Sequence, residues 1–135
     1  TLRVHPSITR EDYQVQLRNI DIDSKPCPFA KQALILDEAV NVSLLPGFSE
    51  GSCYVQDASA QLAAQILKPE SGERILDACC APGGKTTHLA ELCAEAHIVA
   101  IDSDQNRLTR VEENIGRFQL ENITVKHGDA HDKAW

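Results

Sequence analysis

Apolar positions recur along this chain in two rhythms. Short aliphatic runs, Leu2-Arg3-Val4, Ala33-Leu34-Ile35-Leu36, Cys53-Tyr54-Val55, Arg74-Ile75-Leu76, Ile98 to Ile101 and Ile123-Thr124-Val125, read as strands. The other rhythm is helical. Tyr13, Leu17 and Ile20 follow Thr9, a capping residue, with Glu11 and Asp12 in the first turn, so a helix is expected there that ends near Asn19. Asp57 is placed to cap a second helix carrying Ala58, Leu62 and Ile66 on one face, ended by Pro69 and Gly72. A third follows Gly83-Gly84 and carries Leu89 and Leu92. The fourth, capped by Ser103 or Asp104, carries Leu108, Val111, Ile115 and Phe118 in a regular 3-4-3 stripe.

The breaks between these segments set the organisation. Asp21 to Phe29 holds two prolines and several turn formers and reads as a loop. Val40 to Leu45 is apolar with Asn41 and Ser43 between, closed by Pro46-Gly47, and a second turn follows at Glu50-Gly51. A small α/β subdomain is therefore expected over residues 1–50 and a second domain over residues 51–135. Within the latter, residues 72–129 alternate β-α-β-α-β with short connections, which predicts a parallel sheet with right-handed crossovers.

Composition narrows the class without naming a function. The 135 residues carry a net charge of −7, with Arg and Lys scattered singly, so the chain as a whole does not attract nucleic acid. No apolar stretch approaches the roughly 18 residues of a membrane span, and no signal-peptide pattern is present. Five cysteines without a C-x-x-C pair fit reduced thiols and a cytoplasmic location better than a disulfide framework or a zinc knuckle. Thr1 in place of a starting methionine, and Trp135 just after the approach to another strand, lead us to expect a piece of a longer protein.

Three features fall at successive strand ends: the loop Cys79-Cys80-Ala81-Pro82-Gly83-Gly84-Lys85, then Asp102, then Asp129. In an open α/β sheet all three face one crevice at the carboxyl edge, where a helix N-terminus offers backbone N–H groups to anionic or polar ligand groups. An acid roughly 20 residues beyond such a glycine loop accepts hydrogen bonds from a ribose diol, and Asp102 stands in that range from Gly83. An acid after the third strand can accept from the amino group of an adenine. Together they describe a site for an adenosine-containing cofactor. Three other readings compete. A P-loop requires Gly where Cys79 stands, although Gly84-Lys85-Thr86 completes the pattern; the dinucleotide fingerprint G-x-G-x-x-G is absent; and a purely structural turn does not account for the two acids.

The run Asp77-Ala78-Cys79-Cys80-Ala81-Pro82-Gly83-Gly84-Lys85-Thr86 resembles the S-adenosylmethionine loop of the Sun-type RNA (cytosine-5) methyltransferases. Leu45-Pro46-Gly47-Phe48 and Val55-Gln56-Asp57-Ala58-Ser59-Ala60-Gln61 are similar to the bacterial branch of that family that acts on small-subunit ribosomal RNA. Cys80 departs from the pattern, which usually has Ala there. The resemblance implies the first half of a Rossmann-like, S-adenosylmethionine-dependent methyltransferase sheet preceded by a small α/β subdomain. It also implies that Cys79, Cys80, Ala81, Pro82, Gly83, Gly84 and Lys85 wrap the methionine part of the cofactor. Asp102 would hold the ribose hydroxyls, Asp129 would sit by the adenine and Arg107 would lie near the cofactor, with Asp77 a loop-bracing acid.

The family's chemistry uses a cysteine thiolate that attacks C6 of the cytosine, and a second cysteine that helps release the product. In the family these follow the fourth and fifth strands, so no catalytic residue is assigned in this chain. The fragment alone is expected to be inactive, with ribosomal RNA a partner of the longer parent. Pro26-Cys27 lies ahead of the whole α/β unit and reads as a plain loop thiol. His127 and His131 are separated by Gly128 and do not read as a metal pair; His88 reads as a surface or second-shell residue. No metal and no membrane partner are expected. In the resembling fold the first strand lies mid-sheet, so Arg74 to Asp77 would here be an unpaired edge, open to self-association. The alternative from another class is a nucleotide-binding or interaction module that uses the crevice without methyl transfer.

Overall fold

The computed structural model describes residues 1–132. The expected approach to a further strand before Trp135 lies outside the described residues. The chain divides into two compact units, Thr1–Ala63 and the remainder from Ala64.

The first unit is built on a four-stranded antiparallel sheet in the order β2-β3-β1-β4, from β1 (Leu2–Val4), β2 (Ser24–Pro26), β3 (Ala33–Leu36) and β4 (Cys53–Val55). Helix α1 (Arg10–Arg18) is capped by the Thr9 side chain, which accepts from the Asp12 N–H, and it stops at Asn19 as the capping pattern predicts. It buries Tyr13 and Leu17; Ile20 lies past its end and is exposed, because the chain turns out of the helix before the stripe can reach it. Leu2, Val4, Tyr13, Leu17, Ile22, Leu34, Leu45 and Cys53 form one cluster. Each aliphatic side chain so withdrawn from water stabilises the unit by about 1.5–3 kcal/mol.

One segment of this unit departs from the sequence pattern. The stretch Asp21 to Phe29, expected to be a loop throughout, contains β2, which pairs Ser24 with Leu36 and Pro26 with Leu34. Its strand is legible only in three dimensions, because Pro26 is tolerated where a strand has a neighbour on one side and needs no second ladder. Val42–Leu44 forms a single 3-10 turn capped by the Asn41 side chain. The sheet also takes in β4, beyond residue 50, since β4 pairs with β1 from Leu2↔Val55 to Val4↔Cys53.

Helix α2 (Ala58–Leu67) spans the boundary of the two units. Its buried positions are Ala58, Gln61 and Ala64, while Ile66 is 77% exposed. The expected face of Ala58, Leu62 and Ile66 is thus rotated, because Gln61 is drawn inward: its Nε2 donates to the carbonyls of Leu2 and Gln56.

The second unit holds the β-α-β-α-β run as expected: β5 (Arg74–Asp77), α3 (Gly84–Leu92), β6 (His97–Asp102), α4 (Gln105–Arg117) and β7 (Ile123–His127). Its strands are parallel in the order β5-β6-β7, in register from Ile75↔Ile98 to Asp77↔Ala100 and from Ile98↔Ile123 to Asp102↔His127. The central strand is covered on both faces, with Ile98, Ala100 and Ile101 fully buried, which is why it reads as a continuous apolar run. Helix α4 is capped by Asp104, whose carboxylate accepts from the N–H groups of Asn106 and Arg107, and it lays Leu108, Val111 and Phe118 into the core. Among the described residues strand β5 is an edge, as expected, and leaves Leu76 46% exposed. All three strands deliver their C-terminal residues to one side of the sheet, which is where the candidate site lies.

Candidate functional site

The loop between β5 and α3 is pinned at both ends by one carboxylate. Asp77 Oδ1 accepts from the Cys79 N–H at 3.3 Å, and Asp77 Oδ2 accepts from the Thr86 hydroxyl at 2.7 Å. The middle of the loop is laced onto the end of β6. Cys80 N–H donates to the Ile101 carbonyl at 3.0 Å, and Ala81 N–H donates to Asp102 Oδ2 at 3.1 Å. The Ala81–Pro82 peptide is cis, and Gly83 follows with φ 103°, a left-handed conformation that glycine adopts without a Cβ penalty. Gly83 is also the N-cap of α3 and supplies no side-chain cap, so the positive end of that helix stands at the sheet's carboxyl edge.

Asp102 is the centre of this arrangement. Its side chain is 3% exposed, accepts from Ala81 N–H and from Asp104 N–H at 3.1 Å each, and faces the Arg107 guanidinium at 3.6 Å. Burial pushes its carboxyl up, but the hydrogen bonds from Asp104 and Ala81, followed by the Arg107 charge, outweigh burial and hold it below the ordinary carboxylate value. Arg107 also donates to the Ala81 carbonyl at 2.8 Å, so it ties the loop to the acid. Cys80 is buried beside them, and burial, then the charges of Asp77 and Asp102, push its thiol up to about 12. That thiol is protonated at neutral pH and is a packing group. Cys79 is exposed on the loop.

Asp129 is placed differently. The chain before it is tied to β6 through Gly128 N–H, which donates to the Asp102 carbonyl at 3.1 Å. Its own carboxylate accepts from the His131 N–H and pairs with the His131 ring, both at 2.9 Å, and these bonds draw it below the ordinary value. Of the residues the sequence singles out, hydrogen bonds and the ion pair therefore join the Cys79–Gly83 loop with Asp102 and Arg107. Lys85 is exposed in the first turn of α3, and Asp129 stands at the same sheet edge engaged by its own neighbour. His127 contacts the Ser103 carbonyl at 3.0 Å, and His88 is fully buried, which removes the surface half of its expected placement, because α3 packs that face inward. Among the described residues no group of three His, Cys, Asp or Glu side chains is gathered as a metal site would require, and no helix is long and apolar enough to cross a membrane.

Sequence reasoning passed over Thr86 and Asn114. The latter donates from Nδ2 to the Pro82 carbonyl at 3.0 Å. The available signal was an amide seven residues after Arg107, on the same face of α4.

The donor set fits an adenosine cofactor bearing an amino-acid tail. A carboxylate offers about four acceptor positions, and Asp102 uses two of them on backbone N–H groups, which leaves capacity for hydroxyl donors. The N-terminal end of α3 at Gly83 suits a carboxylate or another polar acceptor.

A sequence profile described as 16S rRNA methyltransferase RsmB/F matches residues 64–135. Ribosomal RNA small subunit methyltransferase B of Photorhabdus laumondii is 44% identical over 94% of this chain and 30% of its own length. The protein of that name from Proteus mirabilis is 47% identical over 94% of this chain and 29% of its own. The chain thus spans about three-tenths of these curated relatives. Among solved structures, a methyltransferase homolog protein from Pyrococcus horikoshii superposes with a TM-score of 0.85 at 32% identity, covering 96% of this chain and 43% of that one.

Proposed function

We propose, from the premise that this chain belongs to the 16S rRNA methyltransferase RsmB/F family, that it is the S-adenosylmethionine-holding part of an RNA (cytosine-5) methyltransferase acting on small-subunit ribosomal RNA in the cytoplasm. The observation that carries this reading is the Asp102 carboxylate, buried and held charged between the β5–α3 loop and α4, at the end of the central strand. The bound cofactor supplies an activated methyl group.

What the chain's own residues do is bind and orient. Asp102 accepts from the ribose hydroxyls with its remaining oxygen lone pairs. The N–H groups at the head of α3, with the loop Cys79 to Lys85 around them, take the methionine end. Arg107 keeps Asp102 charged and the loop closed onto it. Asp129 serves the adenine amino group once it turns from His131. Removing water from these groups strengthens each contact. None of them attacks the cytosine: Cys80 is protonated and buried, and Cys79 belongs to the cofactor loop. Methyl transfer is accordingly expected of the longer parent and not of this chain alone. Its partners in this reading are ribosomal RNA, through the parent, and a second copy of itself through the β5 edge.

Isothermal titration with S-adenosylmethionine and, separately, with ATP tests the reading. Saturable binding of S-adenosylmethionine with a 1:1 stoichiometry is expected. Binding of ATP alone would replace it with a plain nucleotide-binding module.

A further inference from the structure

Three consecutive residues of the loop are each met by one residue of α4. Arg107 Nη2 donates to the Ala81 carbonyl at 2.8 Å, and Asn114 Nδ2 donates to the Pro82 carbonyl at 3.0 Å. Val111 lies between them on the helix and backs Gly83, where an added Cβ would stand 3.5 Å from the Val111 Cα. Residues 107, 111 and 114 follow the i, i+4, i+7 spacing of a single helix face. Helix α4 is therefore a fitted backing for the turn, with one apolar contact flanked by two polar ones.

The neighbours of Asn114 fix which way its amide faces. The Arg117 guanidinium donates to its Oδ1 at 3.0 Å, which fixes that atom as the acceptor and the other as the amide nitrogen. The two amide hydrogens then go to the carbonyls of Pro82 and Arg110, at 3.0 and 2.9 Å. A side chain of the same size with oxygens in both positions would set a negative charge against two carbonyl oxygens.

We propose that Asn114 is a positioning residue for cofactor binding. Together with Arg107 it draws the carbonyls of Ala81 and Pro82 toward α4. Held to α4, these carbonyls are kept out of the crevice at the head of α3, while the turn's own N–H groups stay engaged, Ala81 on Asp102 at 3.1 Å and Gly83 on the Cys80 carbonyl at 2.6 Å. Without that hold, carbonyl oxygens are free to turn toward the cofactor's carboxylate, where they repel it. This proposal rests on the S-adenosylmethionine reading given above, and it concerns how the loop is kept ready before the ligand arrives.

The test compares the wild-type chain with Asn114→Asp, which keeps the shape and reverses the hydrogen bonding, and with Asn114→Ala, which only removes it. Amide hydrogen exchange without ligand is expected to quicken at least about tenfold at Ala81 and Gly83 in both variants, with Ile98 and Ile101 in β6 unchanged. S-adenosylmethionine titrated calorimetrically is expected to bind about tenfold more weakly to Asn114→Ala, and more weakly still to Asn114→Asp. Exchange and affinity within twofold of wild type in both variants would overturn the proposal, as would quickened exchange along β6 as well, the mark of a merely structural role. A wild-type chain that binds no S-adenosylmethionine overturns the cofactor reading and this proposal together. Wild-type binding with indifferent variants overturns this proposal alone.

Discussion

Asp102 and Asp129 follow neighbouring parallel strands and are both held below the ordinary carboxylate value, yet the structure treats them in opposite ways. The Asp102 side chain is 3% exposed and takes its partners from three places, the β5–α3 loop, the chain just after β6 and helix α4. The Asp129 side chain is 63% exposed, and its partner is His131, two residues on and itself 97% exposed. One acid is set by the fold, and its geometry exists before any ligand binds. The other is set by its immediate sequence, and must be released and re-aimed. Affinity gained at the first site comes from a cost already met in folding, whereas the second has to order a side chain at the moment of binding.

The widest contrast is expected in thiol chemistry on the Asp102 side. Burial and the charges of Asp77 and Asp102 hold the Cys80 thiol near 12, and the thiolate is the reactive form. Native-state labelling with iodoacetamide at pH 8 should modify exposed Cys79 at least about 100-fold faster than Cys80, which is buried and held as the thiol. Mass spectrometry after digestion reads the two sites together. Equal labelling would mean that the loop opens freely, and the preset site would be no more ordered than the end of β7.

Substitution of the acids themselves comes next. Asp102→Asn keeps the side-chain volume but removes the charge and puts an amide donor against a backbone N–H, so S-adenosylmethionine affinity should fall about 100-fold, in line with about 1.5–3 kcal/mol for a hydrogen bond to a charged group. Asp129→Asn should cost less than about tenfold, because an exposed carboxylate forfeits most of its gain to water. Titration calorimetry on both variants decides it. Losses of equal size would show that exposure in the free chain says nothing of each acid's share in binding.

The sequence disclosed this comparison only in part. The periodicities of β5 to β7, α3 and α4 are strong because a parallel sheet with buried central residues writes continuous apolar runs, and α4 writes a clean stripe with Asp104 at its head. The positions of the loop, Asp102 and Asp129 at three strand ends follow from that alternation alone. What the chain order could not convey is depth: nothing local distinguishes a buried Asp102 from an exposed Asp129, because the difference arises from α4 folding back across residue 81. The same limit hid Asn114, whose partner Pro82 is 32 residues away in the chain. It hid β2 as well, which becomes a strand only when β3 lies beside it. The inward turn of Gln61 has the same origin, since its amide is called in by the carbonyls of Leu2 and Gln56, one of them 59 residues distant.

A smaller effect separates the turn from both acids. Gly83 has φ 103°, and an added Cβ would meet Val111 only at ordinary contact distance, so Gly83→Ala is resisted by backbone conformation and not by crowding. Residues forced into sparsely populated backbone regions cost of order 1–3 kcal/mol. The urea midpoint of the second unit should fall accordingly, while titration of the Asp129 carboxyl stays where it is. A midpoint unchanged by Gly83→Ala would show that the turn relaxes independently of Asp102.

The smallest expected change concerns protons. Both carboxyls are depressed in the folded chain, so any stability they lend is present above the unfolded value of about 3.9 and is lost as pH falls through the lower folded values. Arg107→Gln should raise the Asp102 carboxyl only in part, because the N–H groups of Asp104 and Ala81 outrank the guanidinium among the groups that hold it down. His131→Ala should likewise raise Asp129 in part, since the backbone N–H at 131 survives the substitution and is the larger cause. Carbon-detected NMR titration of the two carboxyls from pH 2 to pH 6 measures both shifts in one experiment. If Arg107→Gln returned Asp102 all the way to its ordinary value, its charge would depend on one exposed arginine. The distinction between an acid set by the fold and an acid set by its neighbour would then collapse.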